Sequence, residues 1–259
     1  MARTLGNRDL WLTALRAEGP AIRAAFEEAA SGEAGLSIKV PSCPDWTMLD
    51  LIHHLGSLYA RVRSHVSRGV TSRPESDGTH TGDLPTGAAA IQWWADEYEA
   101  LVALLDQLDP QMPAWNWAPQ SKQVAFWQRR MAHETAVHRW DAQTAIGRTE
   151  PIETKLAVDG VTEVLDTWLP AGRRSGPKDR SGVVQLTATD VGQEWFVRLR
   201  GAGVALLDTG TWLDHDDPHA RAAARGTASD LNLALWGRVR FEVLEVSGDA
   251  ALLESLRTG

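Results

Sequence analysis

The spacing of apolar residues changes along this chain, and that change constrains the fold more than any other feature. Through about the first 150 residues, apolar side chains recur every three or four positions, as on one face of an α-helix. Beyond that point, short apolar runs alternate with turn-forming residues, which is typical of β-strands. We therefore predict an α+β protein, with a four-helix bundle in residues 1–150 and a smaller α+β domain in residues 151–259.

Local signals bound the predicted elements. Four helices are expected in the first part, at residues 7–30, 47–68, 87–108 and 121–146. Gly19-Pro20 is expected to kink or split the first helix, and Thr47 is expected to cap the second. Turns or loops are predicted at 35–46, 71–86 and 110–120. The later elements are predicted as helices at 153–169, 227–237 and 248–257, and as strands at 183–189, 195–199 and 219–225.

Composition and charge exclude several classes of protein. The chain has 34 acidic and 26 basic side chains, a net charge of −8, whereas a nucleic-acid-binding protein needs a basic face. Its one cysteine, Cys43, cannot form an intrachain disulfide, which fits a reducing cytoplasm. Neither a signal peptide's apolar core nor an apolar run of about 18 residues is found. We expect a cytoplasmic protein without nucleic-acid or membrane partners.

One histidine of the predicted 47–68 helix lies beside an apolar stripe. The stripe consists of Leu51, Leu55, Leu58, Val62 and Val66. Because each helical residue turns by about 100°, His54 falls at the edge of this stripe, whereas the neighbouring His53 points away. His54 is therefore expected to face the interior of the bundle.

The predicted 121–146 helix carries a carboxylate and an imidazole on its apolar stripe. Glu134 and His138 are four residues apart, so they lie one above the other on the helix. Asp141 lies at the edge of the stripe, and His133 points to the opposite side. Burying these polar groups is costly unless something compensates.

A divalent metal would compensate for this cost. Two histidines and one glutamate, with a fourth position open, form a ligand set of catalytic zinc sites. The pattern predicts metal ligands at His54, Glu134 and His138, with Asp141 orienting a ligand or acting on a bound molecule. Two plainer interpretations stay open, namely a hydrogen-bonded core histidine and a simple helical contact between Glu134 and His138.

Several segments resemble one known family. VPSCPDWT at residues 40–47, followed by DLIHHLG at 50–56, resembles the "cPgWtvrDLvaHL" segment of the mycothiol-dependent maleylpyruvate isomerase family, whose first domain is a DinB-like helical bundle. HETAVHRWDA at 133–142 resembles the family's "hEtavHrwDa" signature. Three later segments are similar to its C-terminal domain, which has a sterol-carrier-like fold: Gly226–Leu231, Leu235–Arg238 and Val246–Ala250.

This resemblance implies a zinc enzyme that uses mycothiol as a thiol cosubstrate. The family's metal ligands match His54, Glu134 and His138, and the resemblance also implies a role for Asp141. An arginine of the C-terminal domain is expected to hold a substrate carboxylate, with Arg238 as the best match and Arg240 as the fallback. The implied partners are mycothiol and a small electrophile, and we expect a monomer or weak dimer.

More than one function remains compatible with these residues. The thiolate adds to the substrate either in a maleylpyruvate isomerase or in a mycothiol S-transferase, and the sequence does not choose between them. A metal-stabilised protein that binds a ligand or partner without catalysis stays open, as does a zinc hydrolase that uses a metal-bound water.

Other conspicuous residues are expected to have ordinary roles. Asp214–His219 resembles a metal cluster, but its Asp-Asp-Pro run predicts a solvated turn. Cys43 is expected to be structural, and the charged run from Arg173 to Arg180 is expected to be a solvated loop. Most of the 12 tryptophans are expected in the core or at its rim.

Overall fold

Helices form the first part of the chain, and a mixed β-sheet with helices forms the second. The structure, a computed structural model, describes residues 7–75, 83–207 and 220–258. Two compact units divide the chain, Met1–Glu150 and Pro151–Gly259. The fold class is α+β, as the sequence predicts.

Four α-helices make up most of the first unit in its described residues. They are α1 Arg8–Ser31, α2 Met48–Ser67, α3 Ala88–Gln107 and α4 Val124–Ala145. The most extensive contacts are those between α1 and α4 and those between α2 and α3. All four helices occur where the apolar spacing predicts them, with ends that differ by a few residues.

Helix α1 continues through Pro20, so the expected split is wrong. The Tyr98 side chain of α3 packs against α1 at Gly19, next to Pro20. The Tyr98 hydroxyl donates a hydrogen bond to the Leu15 carbonyl at 2.8 Å. A Cβ atom at Gly19 would overlap the Tyr98 ring, so only glycine allows this approach. Packing from a neighbouring helix thus outweighs the local preference of Gly-Pro to interrupt a helix.

A short hairpin precedes α2, where the sequence predicts only turns. Strands β1 Lys39–Val40 and β2 Cys43–Thr47 pair antiparallel. Thr47 then caps α2, because its hydroxyl accepts from the Asp50 backbone N–H at 3.2 Å and the Asp50 carboxylate accepts from the Thr47 N–H at 2.8 Å. The predicted cap is confirmed.

Helix α4 is buried on nearly all sides, rather than along a single stripe. His133, which the stripe orients away from Glu134, is itself buried. The helix is therefore surrounded by protein, and its polar side chains need partners within the fold.

A five-stranded sheet occupies the described part of the second unit. Its strands are β3 Ser181–Ala188, β4 Gln193–Arg200, β5 Gly203–Leu207, β6 Arg221–Gly226 and β7 Glu245–Gly248. The spatial order is β5-β4-β3-β6-β7, with β3 and β6 parallel and the other neighbours antiparallel. Strands β3, β4 and β6 match predicted strands, whereas β5 and β7 were not predicted.

Helices of the second unit pack on this sheet. They are α5 Thr154–Glu163, which continues as a π-helical turn to Trp168, α6 Ala228–Leu235 and α7 Ala250–Glu254. Helices α6 and α7 contact β3 and β6, where Val184 and Leu186 are fully buried. The start of the helix predicted at 248–257 instead belongs to β7.

Two predictions about loops have different outcomes. Arg174, in the run expected to be a solvated loop, is 7% exposed and donates from Nη2 to the Gly201 carbonyl at 3.0 Å. Asp214–His219 lies outside the described residues.

In the described ranges, no helix combines the length and the apolar character that crossing a membrane requires.

Candidate metal centre

Helices α2 and α4 bring together the three side chains proposed as ligands. His54 Nε2 lies 3.0 Å from Glu134 Oε1, and His138 Nε2 lies 3.3 Å from the same oxygen. One ligand atom from each residue lies within 4.8 Å of the other two. The two helices therefore form a possible metal site of two imidazole nitrogens and a carboxylate oxygen.

Two other side chains hold the outer atoms of these ligands. Arg130 Nη2 donates to Glu134 Oε2 at 2.7 Å, and Arg130 is itself 3% exposed. The buried Asp141 carboxylate accepts from His138 Nδ1 at 2.8 Å. Glu134 Oε2 and His138 Nδ1 are therefore occupied by hydrogen bonds. Glu134 Oε1 and His138 Nε2 remain to bind a metal ion between the three ligands.

The β1–β2 hairpin completes this support. The Ser42 hydroxyl donates to Asp141 Oδ1 at 2.5 Å, and Cys43 Sγ lies 4.0 Å from Asp141 Oδ2. The Asp141 carboxylate therefore connects the hairpin to His138. Its burial and its hydrogen bonds on both oxygens favour a role in orienting the imidazole.

The environment shifts the pKa of two of these groups. Burial alone would raise the pKa of Glu134, but the Arg130 charge and hydrogen bonds from His138 and His54 hold that pKa well below its usual value. Burial alone would lower the pKa of His138, but the hydrogen bonds to Asp141 and Glu134 raise it overall. The cluster thus keeps Glu134 ionised and favours a positive charge at His138.

This hydrogen-bond pattern fits a bound cation. When neutral His138 donates from Nδ1 to Asp141, its Nε2 carries a lone pair. That lone pair faces the Glu134 carboxylate oxygen 3.3 Å away, so a proton or a metal ion must lie between the two acceptors. Two imidazoles and one carboxylate match the ligand preferences of zinc.

The cluster is open on the side of His54, whose side chain is 34% exposed. The Trp46 ring lies 4.8 Å from the His54 ring, between centroids, and 6.0 Å from the His138 ring, nearly parallel to it. Trp46 therefore provides an aromatic wall beside the two imidazoles. A small ligand can approach the possible metal position from this open side.

From the sequence, no role in this site is assigned to three of its contributors. Ser42 and Trp46 lie within the VPSCPDWT segment, but no periodicity relates this turn to α4. Arg130 precedes Glu134 by four residues, and that i,i+4 spacing of opposite charges on one helix is a signal that identifies the pair.

Arg238 lies in the second unit, after α6. Its Nη1 donates to the Trp236 carbonyl at 2.9 Å, and its guanidinium carbon lies 6.0 Å from the centre of the Trp236 ring. Arg240, the fallback, is exposed and pairs with Glu242 at 2.8 Å. The contact of Arg238 with substrate stays a prediction.

Comparison with models of known protein families gives matches in both units. Residues 13–143 match the model described as "Mycothiol maleylpyruvate isomerase N-terminal domain". Residues 155–255 match the one described as "MDMPI C-terminal domain". A search of curated proteins gives no significant match. The two family matches together cover most of the chain and include all three candidate ligands.

Proposed function

The chain belongs to the mycothiol maleylpyruvate isomerase family, and from this premise we propose that it is a zinc-dependent enzyme. It activates mycothiol as a thiolate, which adds to a small electrophilic substrate. The reaction is either the isomerisation of maleylpyruvate or an S-transfer. The single cysteine, which forms no intrachain disulfide, supports a cytoplasmic location.

One observation carries this proposal. Glu134 Oε1 lies within 3.3 Å of both His54 Nε2 and His138 Nε2, while Arg130 and Asp141 hold the opposite sides of Glu134 and His138. These three side chains would hold the ion, and catalytic zinc sites with three protein ligands keep a further position for water or substrate. Zinc bound there would act as a Lewis acid and would favour the deprotonated form of a thiol.

The protein's own residues orient the reactants. We propose that Asp141 positions His138 and that Arg130 positions Glu134, neither touching the substrate. Trp46 covers one side of the site and limits the access of water to the sulfur. Arg238 would pair with a substrate carboxylate through charge-assisted hydrogen bonds.

Both reactions begin with the same bond. The thiolate sulfur forms a bond to an electrophilic carbon of the substrate's carbon–carbon double bond. The π electrons of that double bond move onto the conjugated carbonyl of the substrate. In the isomerase, rotation about the resulting single bond precedes the return of those electrons and the expulsion of the thiolate. In the transferase, a proton from solvent water instead adds to the neighbouring carbon, and the thioether is the product.

The test combines metal analysis with assays in the presence and absence of mycothiol. We expect the purified protein to hold about one zinc per chain and to turn over maleylpyruvate or a general electrophile only with mycothiol. His138→Ala is expected to lose both metal and activity. The control is His53→Ala, because His53 contacts the Pro85 carbonyl instead of the cluster.

Each alternative gives a different result. Full zinc content in His138→Ala would contradict the ligand assignment. Turnover that does not need a thiol would indicate a hydrolase. Bound metal without any turnover would indicate a protein that uses the metal only for stability or ligand binding.

A further inference from the structure

The hairpin formed by β4 and β5 carries two arginines on one face. Arg198 and Arg200 are alternate residues of β4, so their side chains leave the same face of the sheet. The residues opposite them on β5 are Ala205 and Gly203. Small neighbours therefore leave the two guanidinium groups uncovered from the side of β5.

Neither arginine has a partner within the described part of the chain. No side-chain hydrogen bond or ion pair is formed there by Arg198 or Arg200, and Arg198 Nε is buried without an acceptor. On the same sheet, by contrast, Arg225 lies 3.8 Å from the Glu245 carboxylate.

A third arginine reaches the turn of the same hairpin. Arg174 is buried and donates from Nη2 to the carbonyl of Gly201, which lies between the two strands. Its Nη1 atom is buried without an acceptor among the described residues. Three arginines therefore lie in or beside this hairpin.

A groove lies beside the arginine pair, with a volume of about 320 Å³. It is lined by Arg198, Arg200, Gly203, Val204, Ala205 and Leu207. A Cβ atom at Gly203 would meet only the Arg200 carbonyl, at 3.4 Å, so glycine keeps this part of the groove open. The volume is in the range of small-molecule sites, which combine apolar walls with a few polar groups.

We propose that this groove binds a small organic acid. Its carboxylate pairs with the guanidinium groups of Arg198 and Arg200, and its apolar part contacts Ala205 and Leu207. Guanidinium groups bind carboxylates through parallel charge-assisted hydrogen bonds, which explains arginine at both positions. The groove lies within the second unit and uses none of the candidate metal ligands, so this proposal is independent of the proposed function.

The test is a titration of the full-length protein with benzoate, followed by the NMR shifts of the backbone amides of Gly203–Leu207. We expect saturable shifts, and an affinity at least about tenfold weaker in Arg198→Gln and in Arg200→Gln, the scale of one lost charge-assisted pair. Arg225→Gln is the matched control, because it removes the same charge from the same sheet, and its affinity should change by less than about twofold. Thermal unfolding checks that each variant is folded.

Two further probes define the ligand class. Benzyl alcohol, which lacks the carboxylate, should not shift these amides, and inorganic phosphate should bind more weakly than benzoate. Ala205→Leu narrows the groove and should weaken benzoate binding while phosphate binding is retained. Shifts that do not saturate, an equal loss in Arg225→Gln, or phosphate binding as strong as benzoate binding would each overturn the proposal.

Discussion

At the candidate metal centre, the buried charged side chains have partners of opposite sign, whereas Arg198 and Arg200 in the β4–β5 hairpin have none among the described residues. Glu134 lies between Arg130 and His138, with ion-pair distances of 2.7 Å and 3.3 Å. A buried charge must be compensated inside the protein, but a charge at the surface can be compensated by water. Losing a partner at the centre would therefore leave a buried charge uncompensated. In the groove, Arg200 is exposed to water, whereas Arg198 Nε is buried without an acceptor among the described residues and is available to a ligand.

Removing Arg130 is expected to have the largest effect on stability. Arg130→Met leaves the Glu134 carboxylate without its cation, and breaking a buried ion pair costs about 3–5 kcal/mol. The measurement is the free energy of unfolding in urea, first in metal-free protein and then with excess zinc. Zinc should reduce the loss, because the ion would compensate the Glu134 charge.

Arg63→Met is the control for that change. Arg63 pairs with Glu97 at 3.2 Å, but both side chains are partly exposed, so its loss should cost less than about 1 kcal/mol. Equal losses of unfolding free energy in Arg130→Met and Arg63→Met would contradict the view that the buried ion pair matters more than the partly exposed one.

Asp141→Asn is expected to have the next largest effect, and mainly on metal affinity. The amide keeps the shape of the side chain but removes the negative charge that orients His138. Such changes typically weaken metal binding by about 10–100-fold. Competition with a chelator measures the zinc Kd, and Asp45→Asn, an exposed carboxylate of the same hairpin, should leave it nearly unchanged. An unchanged Kd in Asp141→Asn would mean that Asp141 does not support the ligand.

Thr47→Ala tests the cap of α2 and is expected to cost about 1 kcal/mol. Hydrogen bonds from the Thr47 hydroxyl and backbone lower the pKa of the Asp50 carboxyl. The contribution of ionised Asp50 is therefore present above its unfolded pKa of about 3.9 and is lost as pH falls through the lower folded value. The stability difference between wild type and variant should narrow at acid pH in urea titrations, whereas Ser64→Ala should show no such trend.

Arg200→Gln is expected to have the smallest effect on stability, within about 0.5 kcal/mol. Arg200 forms no side-chain hydrogen bond or ion pair with the described residues, so we expect its loss to remove no such interaction there. Thermal unfolding at low salt measures the change. A large destabilisation would show that Arg200 supports the fold, and it would weaken the contrast with the metal centre.

The sequence predicted the elements of the bundle well and the edges of the sheet poorly. Helical spacing is a repeated signal over some 20 residues, so α1 to α4 were found although Pro20 suggested a break. Strand β5 is short and begins with glycine, and all four residues of β7 are exposed. An edge strand is specified by its neighbour's hydrogen bonds more than by its own apolar pattern, and sequence alone does not show that neighbour.

In the candidate site too, some residues could be predicted from the sequence and others could not. Helical geometry identified His54, Glu134 and His138, because a polar residue on an apolar stripe stands out. It did not identify Ser42 or Trp46, because their relation to the cluster depends on how a hairpin packs against α4. Nor did it anticipate that Arg174 would be buried within a charged loop.

The local properties of this protein follow from its sequence alone: the periods of its helices, the cap at Thr47 and the faces on which the candidate ligands lie. These follow from interactions between residues close along the chain, which any homologous segment would repeat. Packing between distant segments brought His54 to Glu134 and Asp141 to His138, and it left Arg198 and Arg200 beside a groove without a partner among the described residues. Those outcomes depend on contacts between distant segments, where packing selects one partner among many of similar chemistry.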